Sequence, residues 1–271
     1  MGAQPDSLSQ HGRFLPVACR AVDIARKIIQ ERQPEVVSAK GDRDMVSDVD
    51  IQIEHAVRDY LKEQHPDIGF LGEEEGSRPG EHSLQWVLDP IDGTANFVKG
   101  IPLYSISLAL VSHQEPVLGI IDLPANGSRY SAALKHGAYH DTTRIHVRPT
   151  AQLNEAVVTI GDYAVGPNAG ARNQIRLAVT SQLAHKALRV RMLGSAAIDL
   201  AWLAHGKTDA AIIFGNKPWD TAAGVILVRE AGGSVVDLDG YTHTLHSAST
   251  MAASPLLLEQ VLSLIPRPSH G

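Results

Sequence analysis

Apolar positions recur at helical spacing over residues 14–33, where Leu15, Ala18, Val22, Ala25 and Ile29 fall on one face and predict a first helix. A second helix is expected over residues 48–64, with Ile51, His55, Val57, Tyr60 and Leu61 turned mostly inward. Ser47 stands where an N-cap belongs, and Asp50 three residues later suits a capping box. The period then shortens. The runs IGFLG, QWVLD, YSISLALV, PVLGIID and RYSAALK follow one another with turn residues between them, which predicts an antiparallel meander. Beyond about residue 150 the rhythm alternates: strand AVVTI, helix NQIRLAVTSQLAHKAL, strand RVRML, helix AAIDLAWLAHG, strand DAAIIF, helix TAAGVILVREAGG, strand SVVDL and a last helix PLLLEQVLSLI. This pattern reads as an α/β (α+β) chain, with a meander sheet in residues 14–150 and mixed α/β layers in 151–265. No linker separates the halves, so 14–265 is expected to pack as one domain between a flexible head, 1–13, and a flexible tail, 266–271.

Composition narrows the function classes. A formal charge of −6 and a pI near 6.1 disfavour a general nucleic-acid binder, which needs a basic surface. The single cysteine, Cys19, excludes an internal disulfide and fits a reducing compartment. The first residues are polar, Asp6 stands where a myristoylation site wants Ser or Thr, and no apolar run approaches the roughly 18 residues of a membrane helix. A cytoplasmic protein with no membrane partner is expected.

The candidate chemistry lies in the acids. They fall in four groups: GEEEG (72–76), the pair Asp89 and Asp92 in WVLDPIDGTANF, Trp219-Asp220 opening a helix, and DMVSDVD (44–50). Each has a plain structural explanation: a solvated loop, an Asx turn, an N-cap and a second cap. Together they sit at strand ends and helix starts, where α/β folds gather ligand-binding groups. Carboxylates without alternating basic partners suit a hard cation such as Mg²⁺. Gly93-Thr94, opening a short helix, offers backbone amides to a phosphate beside them. Other chemistries lack their parts: there is no GxxxxGK[ST], HExxH, CxxC or GxSxG. The histidines have no ligand spacing, and His136, His140, His243 and His246 read as surface residues.

The segments GEEEG, WVLDPIDGTANFVKGIPLYSISLAL and WDTAAGVILVREAGG, in that order, resemble the inositol monophosphatase family of Mg²⁺-dependent, lithium-sensitive phosphatases. The likeness runs from about residue 21 to 265 and looks closest to inositol-monophosphatase-like proteins of actinobacteria. It implies a layered αβαβα sandwich, two to three Mg²⁺ ions and a homodimer. It implies that Glu73, Asp89 and the carbonyl of Ile91 hold one metal. Asp89 would bridge to a second held also by Asp92 and Asp220, and a third, weaker ion would sit near Glu73. Thr94, with Asp50 behind it, would orient and help deprotonate the attacking water, with Glu74 in support. The amides of Gly93 and Thr94 would hold the phosphate, and Gly194, Ser195 and Ala196 would touch the organic part.

One position departs from the family. Inositol-specific members usually carry a substrate-reading glutamate seven residues before the aspartate of WD, and here that position is Ile213. The resemblance implies a small phosphorylated polyol such as inositol 1-phosphate as the substrate, but Ile213 removes the carboxylate that selects inositol among such esters. A nucleoside bisphosphate, fructose 1,6-bisphosphate or histidinol phosphate is the alternative on the same metals. A catalytically dead binding protein and a two-metal nuclease are weaker readings: the metal-ligand set is complete, and the chain is acidic with no basic-aromatic stripe.

Overall fold

Two helices start the chain, and an intramolecular cap decides how the second one faces. The computed structural model describes residues 11–41, 44–81 and 83–266. Most of the expected head and tail lies outside these residues, but Gly12 and Arg13 belong to a 3-10 turn (Gly12–Phe14) that runs into α1 (Leu15–Glu31). Helix α1 buries Ala18, Ala21, Val22, Ala25 and Ile29, the face that its spacing predicts. A hairpin of β1 (Val37–Gly41) and β2 (Asp44–Ser47) leads into α2 (Asp48–Gln64). Ser47 and Asp50 form the capping box, and the Ser47 amide donates to Asp50 Oδ2 at 3.0 Å.

The inner face of α2 differs from expectation. Ile51 is 40% exposed, and the buried stripe is Val49, Asp50, Ile53, Glu54, Val57 and Leu61. The cap turns Asp50 inward, and residues three, four, seven and eleven positions on follow it. Two acids therefore lie on a core face. Glu54 is neutralised in part by the backbone: its carboxylate accepts the amides of Glu74 and Glu75, both at 2.9 Å. The approach is so close that a Cβ on Gly72 would meet the Glu54 carboxylate at 2.3 Å.

The first sheet has eight strands in the order β10-β9-β8-β7-β6-β5-β3-β4. They are β3 (Gly69–Gly72), β4 (Gly76–Arg78), β5 (Leu84–Asp92), β6 (Ser105–Ser112), β7 (Glu115–Leu123), β8 (Ser128–Ala133), β9 (Gly137–His140) and β10 (Thr143–Ile145). From β5 to β10 each strand pairs antiparallel with the next, as a meander should. The β3–β5 pair is parallel, because β4 intervenes and takes the edge. Between β5 and β6 runs a short helix, α3 (Thr94–Val98).

The second sheet, β12-β11-β13-β15-β14, comprises β11 (Val157–Ile160), β12 (Arg189–Arg191), β13 (Ala210–Ile213), β14 (Ser234–Val236) and β15 (Thr250–Ala253). Strand β15 was not visible in the hydrophobic pattern. It is short, small-residued and buried on both faces, so it shows no alternation. Four helices complete the fold: α4 (Ala169–Lys186), α5 (Ala196–Ala204), α6 (Pro218–Glu230) and α7 (Leu258–Leu262). The last is much shorter than its run of leucines suggests.

Three apolar clusters explain the layers. One joins α1 and α2 to the first sheet. A second puts α5 and α6 between the sheets and includes Val87, Ala109 and Ile121 from one and Ala211, Ile213 and Ala252 from the other. The third closes α4 and α7 over the outside of the second sheet. The result is the αβαβα sandwich, and the central cluster is shared by both halves of the chain. Among the described residues no helix is long and apolar enough to cross a membrane.

His243 corrects an expectation: it is 3% exposed, not a surface residue. Its Nε2 lies 2.8 Å from Thr250 Oγ1, which itself donates to Asn216 Oδ1 at 3.1 Å, so the imidazole nitrogen is the donor. Burial first, then the Arg229 charge, pushes its pKa down from 6.5 to about 4. The unfolded chain binds this proton earlier as pH falls, so stability drops as pH falls from 6.5 towards 4. Urea unfolding should show a loss of about 2 kcal/mol from this group between neutral pH and about pH 5. The His243→Gln variant should show a correspondingly flatter dependence, and an unchanged slope would contradict the buried neutral imidazole.

Candidate active site

A bulge places the first two acids. Asp89 pairs with Ser107 and Asp92 with Ser105, so the three-residue step on β5 faces a two-residue step on β6. In a regular strand, residues three apart point to opposite faces. The extra residue at Pro90-Ile91 brings both carboxylates to one side, and proline, which has no N–H to offer a ladder, suits a bulge. Gly93 follows with φ +93° and caps α3; a Cβ there would lie 3.0 Å from Leu103 O and 3.1 Å from Gly194 O.

Asp220 is the third residue of α6, and its Oδ2 accepts the Lys217 amide at 2.6 Å. The start of that helix is tied to β6 by Ser107 Oγ, which donates to Trp219 O at 3.2 Å. Glu73 enters from the β3–β4 turn. These residues line one cleft of about 730 Å³, together with Ile91, Gly93, Thr94, Gly194, Ser195, Ala196 and Ile213. Asp50 stands behind the wall, fully buried. Thr94 Oγ1 lies 3.0 Å from Ile91 O and 3.3 Å from Asp50 Oδ1.

Several assigned residues have structural partners. Asp92 holds the start of α5: its Oδ2 accepts Ser195 Oγ and the Ala197 amide (2.8 Å), and its Oδ1 accepts the Ala196 amide at 3.3 Å. Ser195 Oγ also accepts the Ile198 amide at 3.2 Å, so this side chain is occupied in capping α5. Glu74 does not line the cleft; it meets Lys40 Nζ at 2.6 Å, and Glu73 meets the same ammonium at 2.8 Å. Lys40, from β1, carries no motif and was not anticipated. The bonds to Glu73 and Glu74 overcome the effect of its burial and raise its pKa.

The acids are crowded. Burial, then Glu73, Asp92, Asp220 and Asp50, raises Asp89 well above the usual carboxylate range. Burial likewise lifts Asp92 to about 6 against its hydrogen bonds, and Asp220 and Glu74 each to about 7. Asp89 Oδ1 is buried and has no hydrogen-bond partner among the described residues. Among the described residues no three acid, histidine or cysteine side chains close on one point as a finished coordination shell. The donor set is nonetheless all oxygen and mutually repelling, which fits a divalent cation of the Mg²⁺ type.

Residues 12–268 match the inositol monophosphatase family. Inositol-1-monophosphatase ImpA of Mycolicibacterium smegmatis is 38% identical over 226 residues, covering 83% of this chain and 82% of its own. A Thermotoga maritima fructose-1,6-bisphosphatase/inositol-1-monophosphatase is 32% identical over 234 residues, covering 86% and 87%. The crystal structure of extragenic suppressor protein suhB from Bartonella henselae superposes with a TM-score of 0.86 at 30% identity, covering 94% of this chain and 99% of that one. The chain belongs to the inositol monophosphatase family, whose members are phosphoric monoester hydrolases.

Proposed function

We propose that this protein is a Mg²⁺-dependent phosphomonoesterase that hydrolyses small phosphorylated polyols, inositol 1-phosphate among them, with water as the nucleophile and no covalent intermediate. The observation that carries the reading is the Thr94 hydroxyl, shared between Asp50 and Ile91 O at the edge of a cleft of crowded carboxylates. Glu73, Asp89 and Ile91 O would hold one ion, and Asp89, Asp92 and Asp220 a second. A third near Glu73 and sensitivity to lithium belong to the same proposal. Bound Mg²⁺ supplies Lewis-acid chemistry, acidifying water and offsetting charge on phosphoryl oxygens.

The chain's own residues do the rest. Thr94 Oγ1 can accept a proton from an attacking water while passing its own to Asp50 Oδ1. Asp50 Oδ2 is fixed by Ser47, whose Oγ donates at 2.5 Å, so the other oxygen stays aimed at Thr94. The amides that open α3, of Gly93 and Thr94, would hold the phosphate. Ile213 is 4% exposed and packs into the central core, so the wall at the family's glutamate position is apolar and reads hydroxyls weakly. Asp199, 1% exposed with Oδ1 unpartnered, lines the same cleft, and burial raises its pKa well above the usual range. It is the carboxyl available for a substrate hydroxyl.

Phosphate release from glycerol 2-phosphate, with and without Mg²⁺, tests the proposal. Activity should require the metal, and Thr94→Ala should lower kcat by about 100-fold or more with a much smaller change in KM. A pure KM effect would assign Thr94 to binding, and metal-independent turnover would refute the mechanism.

We also infer a homodimer. Leu177, Leu188 and Met192 are 55%, 45% and 41% exposed, and all lie in the second half of the chain, where apolar surface suits a self-complementary contact. Sedimentation at micromolar concentration should give twice the 29.1 kDa chain mass; a species of that mass alone would contradict it.

A further inference from the structure

One part of the cleft wall carries a buried positive charge that the fold leaves unneutralised. Arg176 lies on the inner face of α4 with Val179 and Leu183, and only 7% of it is exposed. Its Nε is buried without a partner among the described residues, and its Nη1 donates to Arg172 O, a bond within its own helix, at 3.1 Å. The guanidinium lies over the Phe214 ring, 5.2 Å from the centroid. Its Nη2 faces the following glycine: a Cβ on Gly215 would lie 3.3 Å from it. The arginines paired with carboxylates among the described residues are others: Arg26, Arg58, Arg129 and Arg229. The charge that most perturbs Arg176 after burial is Arg172, and both effects push its pKa down.

The surroundings are built to stay in place. Arg172 Nη2 donates to Val165 O (2.5 Å) and Pro167 O (3.0 Å). Asn173 both accepts from the Ala164 amide (2.7 Å) and donates to its carbonyl (3.0 Å). These bonds latch the segment 161–168 onto α4. Arg172, Arg176, Phe214 and Lys217 all line the cleft that holds the acids. Among the described residues neither Asp162, which is solvent-exposed, nor Asp199 forms an ion pair with the guanidinium.

A guanidinium taken out of water costs stability unless an anion meets it. Its planar fork matches the oxygens of a phosphoryl or carboxylate group, and a ring beneath it fixes the plane. We propose that Arg176, with Arg172 beside it and Lys217 on the same cleft, binds a second oxyanion on the substrate, so that this cleft prefers phosphate esters carrying a further phosphoryl or carboxylate group. The inference rests on the phosphatase reading above. It makes Arg176 a specificity residue: the organic part of the ester spans from the carboxylates to the arginine, and the apolar wall at Ile213 need not read hydroxyls.

The test measures kcat/KM with Mg²⁺ for fructose 1,6-bisphosphate, 3-phosphoglycerate and glycerol 2-phosphate, in the natural protein, Arg176→Met and Arg176→Lys. The first two esters distinguish a phosphoryl from a carboxylate partner, and the third carries no second anion. The natural protein should favour at least one bis-anionic ester over glycerol 2-phosphate by about tenfold to a hundredfold. Arg176→Met should collapse that ratio, mainly through KM, and Arg176→Lys should restore part of it. Equal ratios in the natural protein, or a loss in Arg176→Met common to all three esters, would overturn the inference and leave the phosphatase reading standing. Release from none of the three would remove the phosphatase reading and the inference with it.

Discussion

The repulsion among carboxylates at the mouth of β5 is the constraint on which the architecture depends. Asp50, Asp89, Asp92 and Asp220 are all more than half buried, and Asp50, Asp92 and Asp220 each help to raise the pKa of Asp89. Like charges at this density are held only where other dipoles offset them. Three of the four meet the backbone at a helix N-terminus. Asp50 accepts the Ser47 amide at the start of α2, Asp92 the amides of Ala196 and Ala197 at the start of α5, and Asp220 the Lys217 amide at the start of α6. Helix N-termini carry partial positive charge, so the fold spends three helix ends on one cleft. Among the described residues Asp89 Oδ1 has no such partner.

The same contacts join the two halves of the chain. Asp92 belongs to the first sheet, yet its hydrogen bonds are to the helix that opens the second layer. Ser107 on β6 holds the start of α6, and the central apolar cluster contains residues from both sheets. Catalytic geometry and domain packing are thus one set of interactions. Moving α5 or α6 by a fraction of a turn would both expose core and scatter the acids.

Much of this was legible in the sequence. The spacing of Leu15, Ala18, Val22, Ala25 and Ile29 gave α1 its inner face, and Ser47 with Asp50 marked the start of α2. What escaped was whatever breaks a simple period. Ile51 was placed inward because it is apolar, whereas the cap rotates Asp50 and Glu54 into the core instead. Strand β15 was invisible because a strand buried on both faces does not alternate. His243 resembles any surface histidine until the Thr250–Asn216 chain beneath it is seen. Lys40 lies in a polar hairpin with no motif, and its pairing with Glu73 and Glu74 is purely tertiary. Arg176 did leave a signal: a charge at an inward position of α4, three and seven residues before Val179 and Leu183.

The central claim is that the fold holds Asp89 against its neighbours in anticipation of a cation. Thermal unfolding of the natural protein and of Asp89→Asn, each in chelator and in Mg²⁺, tests it most directly, because the neutral isostere removes the repulsion while keeping the shape. In chelator the variant should melt at a temperature equal to or above that of the natural protein, and the rise that Mg²⁺ gives the natural protein should be largely lost. A variant that melts well below the natural protein in chelator, yet keeps the full Mg²⁺ response, would show that Asp89 is stabilised by the fold alone and is not waiting for a metal.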